Sequence, residues 1–254
     1  MRRALVLACG VTSYALFLLT FLYAIGFVGG IGVPTSLDGA PRSPLGMALM
    51  VNLGLLALFA VQHSVMARPA FKRAWTKIVP PAMERSTYVL LSNLALILLF
   101  WKWQPMGGTV WNFTDSTARV WLFGLSLCGW MLVLVSTFLI NHFDLFGLRQ
   151  VWAHFRGRDC EPLRFVVPGP YRMVRHPLYV GFILAFWATP TMSAAHLLFA
   201  VMTTAYILVA IQLEERDLVA EHGASYKEYR RRVPMLIPGR MRRQAEAQTV
   251  PAQA

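Results

Sequence analysis

Gly169-Pro170-Tyr171-Arg172-Met173-Val174-Arg175-His176-Pro177-Leu178-Tyr179-Val180-Gly181 is the stretch that decides the architecture. Pro177 can open an apolar helix, because the N–H it lacks is one that a helix start leaves unpaired. The apolar run it opens reaches only to Thr189 before Pro190. At about 1.5 Å per residue such a helix is too short for a hydrocarbon core of roughly 30 Å. The spacing predicts a tight hairpin with a following helix, about Ala194 to Leu213, whose turn must be buried by neighbouring helices.

Upstream, four apolar runs are each long enough to span a bilayer: about Ala4 to Val28, Leu45 to Met66, Ser86 or Thr87 to Trp103, and Ala118 to Ile140. The first exceeds a signal-peptide core of roughly 7 to 15 residues and lacks a cleavage site, so it reads as an uncleaved span. Its Gly26 and Gly30 form a small-residue pair that suits a close helix neighbour. Ser86 or Thr87 can cap the third span, and Trp101, Trp103 and Trp111 make an aromatic belt at its far end. After Glu214 the pattern turns amphipathic and charged through Arg232, and Pro234 and Pro238 then stop it. Residues 240–254 carry no apolar period and are expected to be disordered. The fold class is therefore all-α: a polytopic membrane helix bundle of four full spans, a C-terminal helical hairpin and a cytosolic amphipathic helix, in one domain over residues 1–239.

Composition agrees. With 56% hydrophobic and 14% charged residues among 254, a soluble domain would lack polar surface. The net charge of +12, from 24 Lys and Arg against 12 Asp and Glu, sits mostly in a few loops and the C-terminal segment. The loop holding Arg68, Lys72, Arg73, Lys77 and Arg85 marks a cytosolic side, whereas Gly29 to Pro44 carries only Asp38 and Arg42. Basic loops between apolar spans argue for a lipid bilayer and against nucleic acid. The same count puts both termini in the cytosol. Cys9, Cys128 and Cys160 have no metal or redox spacing, and His154, His196 and His222 suggest no metal site.

Two polar patches crowd helix ends where a membrane chain normally keeps few such groups: the quoted stretch and Leu213-Glu214-Glu215-Arg216-Asp217-Leu218. We read them as one cytosolic cofactor site. Tyr171, Pro177 and Tyr179 offer flat surfaces for a purine, and His176 can donate or accept a hydrogen bond. Arg172 and Arg175 otherwise serve as headgroup anchors. Glu214 and Glu215 would sit at a helix C-terminus, which disfavours anions; either Arg175 or Arg216 pairs with them, or one carboxylate holds a cationic ligand.

The combination of Arg175-His176-Pro177-x-Tyr179-x-Gly181, Glu214-Glu215 and Gly223-x-x-Tyr226-x-x-Tyr229-x-x-x-Val233-Pro234 resembles the integral-membrane isoprenylcysteine carboxyl methyltransferase and phospholipid methyltransferase group. Gln62-His63-Ser64-x-Met66-Ala67-Arg68-Pro69, Glu84-Arg85-Ser86-Thr87-Tyr88 and the block Asn141 to Gln150 are similar to one branch of it, the bacterial methanethiol S-methyltransferases. The resemblance implies S-adenosylmethionine in a cytosolic pocket and a small thiol acceptor entering from the membrane. It implies cofactor contacts from Tyr171, His176, Pro177, Tyr179 and Glu214, from Gln150, and from the backbone between Leu163 and Val166; Arg175 and Glu215 join them as neighbours. Ala210 stands where the prenylcysteine enzymes place a substrate-binding arginine, which disfavours a carboxylate acceptor.

Methyl transfer to a thiol is an in-line displacement that needs alignment and a thiolate. A base should help, and His142 with Asp144 are the first candidates, then His63. Each has a plainer reading, as a loop cap or a helix-end histidine bonded to a carbonyl. Arg149 is a second candidate for the cofactor carboxylate. The alternatives are another small thiol, a lipid amine or a prenylated cysteine as acceptor, an NADPH-dependent reductase of the sterol type, and a transport or assembly protein.

Overall fold

Long runs of leucine, valine, phenylalanine and alanine satisfy their backbone only as helices in lipid. Five helices are long and apolar enough to cross a membrane in the computed structural model, which describes residues 2–161, 163 and 165–239. The expected disordered tail, 240–254, lies outside the described residues. In chain order the helices are α1 (Arg2–Gly29), α2 (Leu45–Ala67), α3 (Pro69–Trp75), α4 (Glu84–Lys102), α5 (Ser116–Leu139), α6 (His142–Leu145), α7 (Leu148–Phe155), α8 (Pro177–Trp187), α9 (Ala194–His222) and α10 (Ala224–Arg232). An antiparallel ribbon pairs β1 (Thr109–Asn112) with β2 (Thr191–Ser193). Large apolar side chains such as Leu19, Leu22, Met50, Val120 and Trp121 face outward, as lipid contact requires. The fold is the expected all-α polytopic bundle.

The ribbon explains how a helix as short as α8 belongs in the bundle. From His176 to Trp187 the chain rises only about 16 Å, whereas α9 rises about 30 Å from Ala194 to Glu215. The extended segment between Trp187 and Ala194 covers the difference at about 3.3 Å per residue. Its polar groups are paired inside the protein: Phe113 N donates to Pro190 O (2.9 Å), Trp111 Nε1 to Thr189 O (3.0 Å), and Ala194 N to Gly107 O (3.2 Å). Extended backbone is tolerated there because these donors are paired within the protein. Both members of the pair therefore run between the same two ends of the bundle, here called the sheet end and the charged end.

Five local expectations are corrected. Helix α9 does not stop at Leu213 but continues to His222, so Glu214 and Glu215 lie two turns inside it, clear of the unfavourable dipole end. The amphipathic continuation is broken at Gly223, whose φ of 57° and ψ of −123° turn the chain into α10. Neither Ser86 nor Thr87 caps α4, which starts at Glu84; Thr87 Oγ1 bonds back to Met83 O (3.0 Å) and Glu84 O (2.9 Å). Trp103 is no belt residue. It is 1% exposed, donates to Leu37 O (3.3 Å) and packs edge-on against Phe199 in the core that also holds Phe27, Phe100, Trp130 and Phe186.

Gly26 likewise serves its own loop, since a Cβ there would meet Ile31 O at 2.7 Å. The close helix crossing is made instead by Gly129 and Gly181, where α5 packs on α8. A methyl group on Gly129 would come 2.6 Å from the Ala185 nitrogen, which is backbone and cannot swing away. Gly129→Ala is expected to destabilise the protein by about 1–3 kcal/mol, as overpacking does. A lower thermal midpoint in detergent checks this, and an unchanged one would refute the close crossing.

Candidate active site

At the charged end the Arg175-His176-Pro177 turn is bolted to the chain's last described segment. Arg175 Nε donates to Glu215 Oε1 (2.6 Å) and Nη1 to Val233 O (2.6 Å) and Arg230 O (3.1 Å). His176 Nε2 lies 3.0 Å from the same Glu215 oxygen, and Arg230 Nε is 3.5 Å from Oε2. Backbone bonds from Arg175 N to Pro234 O (2.8 Å) and His176 N to Met235 O (3.2 Å) close the clamp. Tyr229 Oη donates to Tyr171 O (2.7 Å), and Tyr226 is buried beneath Phe165. Two arginines and a histidine thus surround Glu215, which is 4% exposed.

Glu214, one residue earlier, points elsewhere. Its Oε2 accepts from Tyr179 Oη at 2.8 Å, and its Oε1 has no protein partner among the described residues. Burial first, then the charge of Glu214, push the Tyr171 phenol upward, so that ring also lies in the carboxylate's field. Tyr88 and Tyr206 are within electrostatic reach of it too. A carboxylate ringed by tyrosines is a donor set suited to a cation rather than an anion. Pro177 is fully buried, while His176 keeps Nδ1 without a partner among the described residues.

A cleft of about 470 Å³ opens between the end of α5, α6 and the loop after α7, lined by Phe138, Leu139, Ile140, Asn141, His142, Phe143, Leu163 and Val166. Asn141, at φ 92°, is the non-glycine residue with left-handed backbone among the described residues. Leu163 and Val166 thus share one wall with His142. Gln150 donates to Asp144 O (3.2 Å), and its buried Oε1 has no partner among the described residues, an acceptor open to a ligand N–H.

His142 is 2% exposed and both ring nitrogens are taken, Nε2 by Tyr14 Oη (2.9 Å) and Nδ1 by Thr137 Oγ1 (2.8 Å). Phe138 stacks on it at 4.1 Å. Burial lowers its pKa from 6.5. Because the folded value is the depressed one, stability is full above about pH 6.5 and falls as pH drops toward the folded value. Acid-induced loss of thermal stability over that window, reduced in His142→Gln, is the expected result. Asp144 Oδ1 is paired with Arg149 Nε (2.6 Å), and Arg149 also bonds Glu161 O. His63 lies apart from them, between α2 and α4, against Tyr88 and Ser92.

Spacing alone would have found Tyr206: with Ala210, Glu214 and Asp217 it falls on one face of α9 at steps of four, four and three. The Arg68–Asp217 pair (2.7 Å) joining α2 to α9 lies on that face and had no local signal.

The Phospholipid methyltransferase family matches residues 120–224. The methanethiol S-methyltransferase of Crocosphaera subtropica is 58% identical over 236 residues, covering 93% of this chain and 92% of that protein. The chain belongs to the methanethiol S-methyltransferase family. A second member, from Mycobacterium tuberculosis, is 55% identical over 238 residues, or 94% of this chain and 98% of its own length. Members of the family are enzymes, and this chain is an integral-membrane methyltransferase. No solved structure matches it. The segment matched as Phospholipid methyltransferase carries the Arg-His-Pro turn, Tyr179, Glu214 and the cleft; the His63 neighbourhood lies outside it.

Proposed function

We propose that the protein transfers the methyl group of S-adenosylmethionine to methanethiol, giving dimethyl sulfide and S-adenosylhomocysteine. The observation that carries the donor is Glu214: one oxygen fixed by Tyr179, the other without a protein partner among the described residues, in a ring of tyrosines. That set fits a sulfonium or ammonium, and the orphaned Gln150 Oε1 fits an adenine or ammonium N–H. S-adenosylmethionine supplies an activated methyl group when bound. Tyr171, Tyr179 and His176 line its site, Leu163 and Val166 face it from the loop, and buried Pro177, Arg175 and Glu215 hold that wall in place. A small neutral acceptor accords with the absence of a cation on α9 at Ala210.

The reading includes a single domain over residues 1–239, supported by a core that runs without a break from α1 to α9. It also includes a bacterial inner membrane, with the charged end and both termini in the cytosol. Six passes return the chain to its starting side, and Lys72, Arg73, Lys77 and Arg230 to Arg232 gather at that end.

Headspace detection of dimethyl sulfide from the purified, detergent-solubilised protein given S-adenosylmethionine and methanethiol tests this, with S-adenosylhomocysteine followed in parallel. Equal amounts of both products are expected. S-adenosylhomocysteine without dimethyl sulfide would overturn the acceptor, and no binding of S-adenosylmethionine would overturn the donor.

A further inference from the structure

We infer that Tyr88 and His63 form a proton relay that ionises the acceptor thiol, with Gln62 and Ser92 positioning it; the inference rests on the methyl-transfer reading above. The last turns of α2 and the first turns of α4 hold a polar nest that the clamp and the cleft do not use. Phe59 stacks on the His63 ring at 5.1 Å. Ser92 Oγ lies 3.2 Å from Nδ1, and Tyr88 Oη lies 2.8 Å from Nε2 and 3.1 Å from Nδ1. The shorter Tyr88 contact and the Ser92 contact together assign the ring proton to Nδ1, leaving the Nε2 lone pair to accept from Tyr88.

Gln62 Nε2 reaches Ser92 Oγ at 3.4 Å, yet its Oε1 is buried with no partner among the described residues. Polar groups inside a membrane bundle are expensive to keep unless they serve a ligand. An orphaned acceptor in the same nest as a phenol suits a small S–H donor. The nest adjoins the face of α9 that carries Glu214: Phe59 also packs edge-on against Tyr206 (6.2 Å), whose hydroxyl lies 3.2 Å from Ser64 Oγ. Arg68 and Arg85 act on Tyr88, a positive field that favours an anionic sulfur.

The step balances. The Tyr88 oxygen takes the S–H proton while its own proton passes to His63 Nε2. The acceptor sulfur forms the new S–C bond as the sulfonium S–C bond breaks, the electron pair staying on the departing sulfur. The imidazolium then loses its proton to water. Moving a proton from an alkyl thiol, less acidic than the roughly 8.5 of cysteine, to an imidazole of about 6.5 is uphill at ordinary values; the arginines favour the anionic sulfur but not the imidazolium, and the irreversible methyl transfer draws the step forward.

Tyr88→Phe removes one oxygen atom and tests the relay with least risk to folding; His63→Ala is its companion. In both, kcat with methanethiol should fall at least about 100-fold, the usual reach of acid–base catalysis; in His63→Ala, which is not one of the tyrosines around Glu214, S-adenosylmethionine affinity should be unchanged. The loss should shrink as pH rises, and largely vanish with trifluoroethanethiol, which is acidic enough to arrive ionised. A readout without turnover is the pH at which the carbon-13 shift of labelled methanethiol bound beside S-adenosylhomocysteine changes from thiol to thiolate: lower in the native protein than in Tyr88→Phe. Native kcat in Tyr88→Phe, equal losses with both thiols, or the same thiol-to-thiolate midpoint in both proteins would overturn the relay. A native protein that binds S-adenosylmethionine but makes no dimethyl sulfide would overturn the reaction reading and the relay with it.

Discussion

Replacing Glu215 by alanine is expected to destabilise the protein by about 3–5 kcal/mol, the usual result of removing one partner from a buried charged pair. The Arg175 side chain is only 11% exposed and holds Glu215 at 2.6 Å. Without the carboxylate its charge stays buried against backbone carbonyls of Arg230 and Val233, which replace only part of what is lost. His176 loses its bond to the same oxygen. The clamp is also what brings the Pro234 segment onto the Arg-His-Pro turn, so trypsin should cut at Arg230 to Arg232 faster in the variant. Arg230→Ala is the control. Its side chain is 49% exposed and its contact with Glu215 is 3.5 Å, so it should cost less than about 1 kcal/mol. Equal shifts in thermal midpoint for the two variants would show that Glu215 is not the keystone described.

The difference between neighbouring glutamates shows what a sequence of this kind yields. Apolar run lengths found the bundle, because lipid leaves the backbone few options. The Arg-His-Pro stretch and the two glutamates were found as polar groups where few belong. Pairing with Arg175 and holding a cationic ligand were posed as alternatives for both, and the structure divides them: Glu215 pairs, and Glu214 keeps an oxygen without a protein partner among the described residues. Which does which depends on the rotation of α9, set by Arg68–Asp217 and Ser64–Tyr206 contacts more than 140 residues apart in sequence. The ribbon was missed for a related reason. Thr109 to Asn112 and Thr191 to Ser193 are too short for a period, and they pair only because a short α8 leaves extended chain to satisfy. The contacts with Tyr14 and Thr137 that occupy both nitrogens of His142 come from other elements and could not be read locally.

Glu214→Gln should leave the thermal midpoint unchanged, since Tyr179 can donate to an amide oxygen as well as to a carboxylate. What it removes is the charge. Loss of one charged partner at a largely desolvated contact costs about 2–4 kcal/mol, or about 30- to 1,000-fold in Kd for S-adenosylmethionine. Tyr179→Phe, which frees the carboxylate to rotate but keeps its charge, should cost about tenfold. Calorimetric titration with both S-adenosylmethionine and S-adenosylhomocysteine separates two roles. S-adenosylhomocysteine keeps the ammonium and lacks the sulfonium. If Glu214 faces the sulfonium, the glutamine variant loses affinity for S-adenosylmethionine far more than for S-adenosylhomocysteine, and methyl transfer is directed from this point toward Tyr88. If it faces the ammonium, both affinities fall together and the sulfonium lies deeper, among the tyrosines alone. Native affinity for both ligands would remove Glu214 from the site, and with it the observation on which the donor assignment stands.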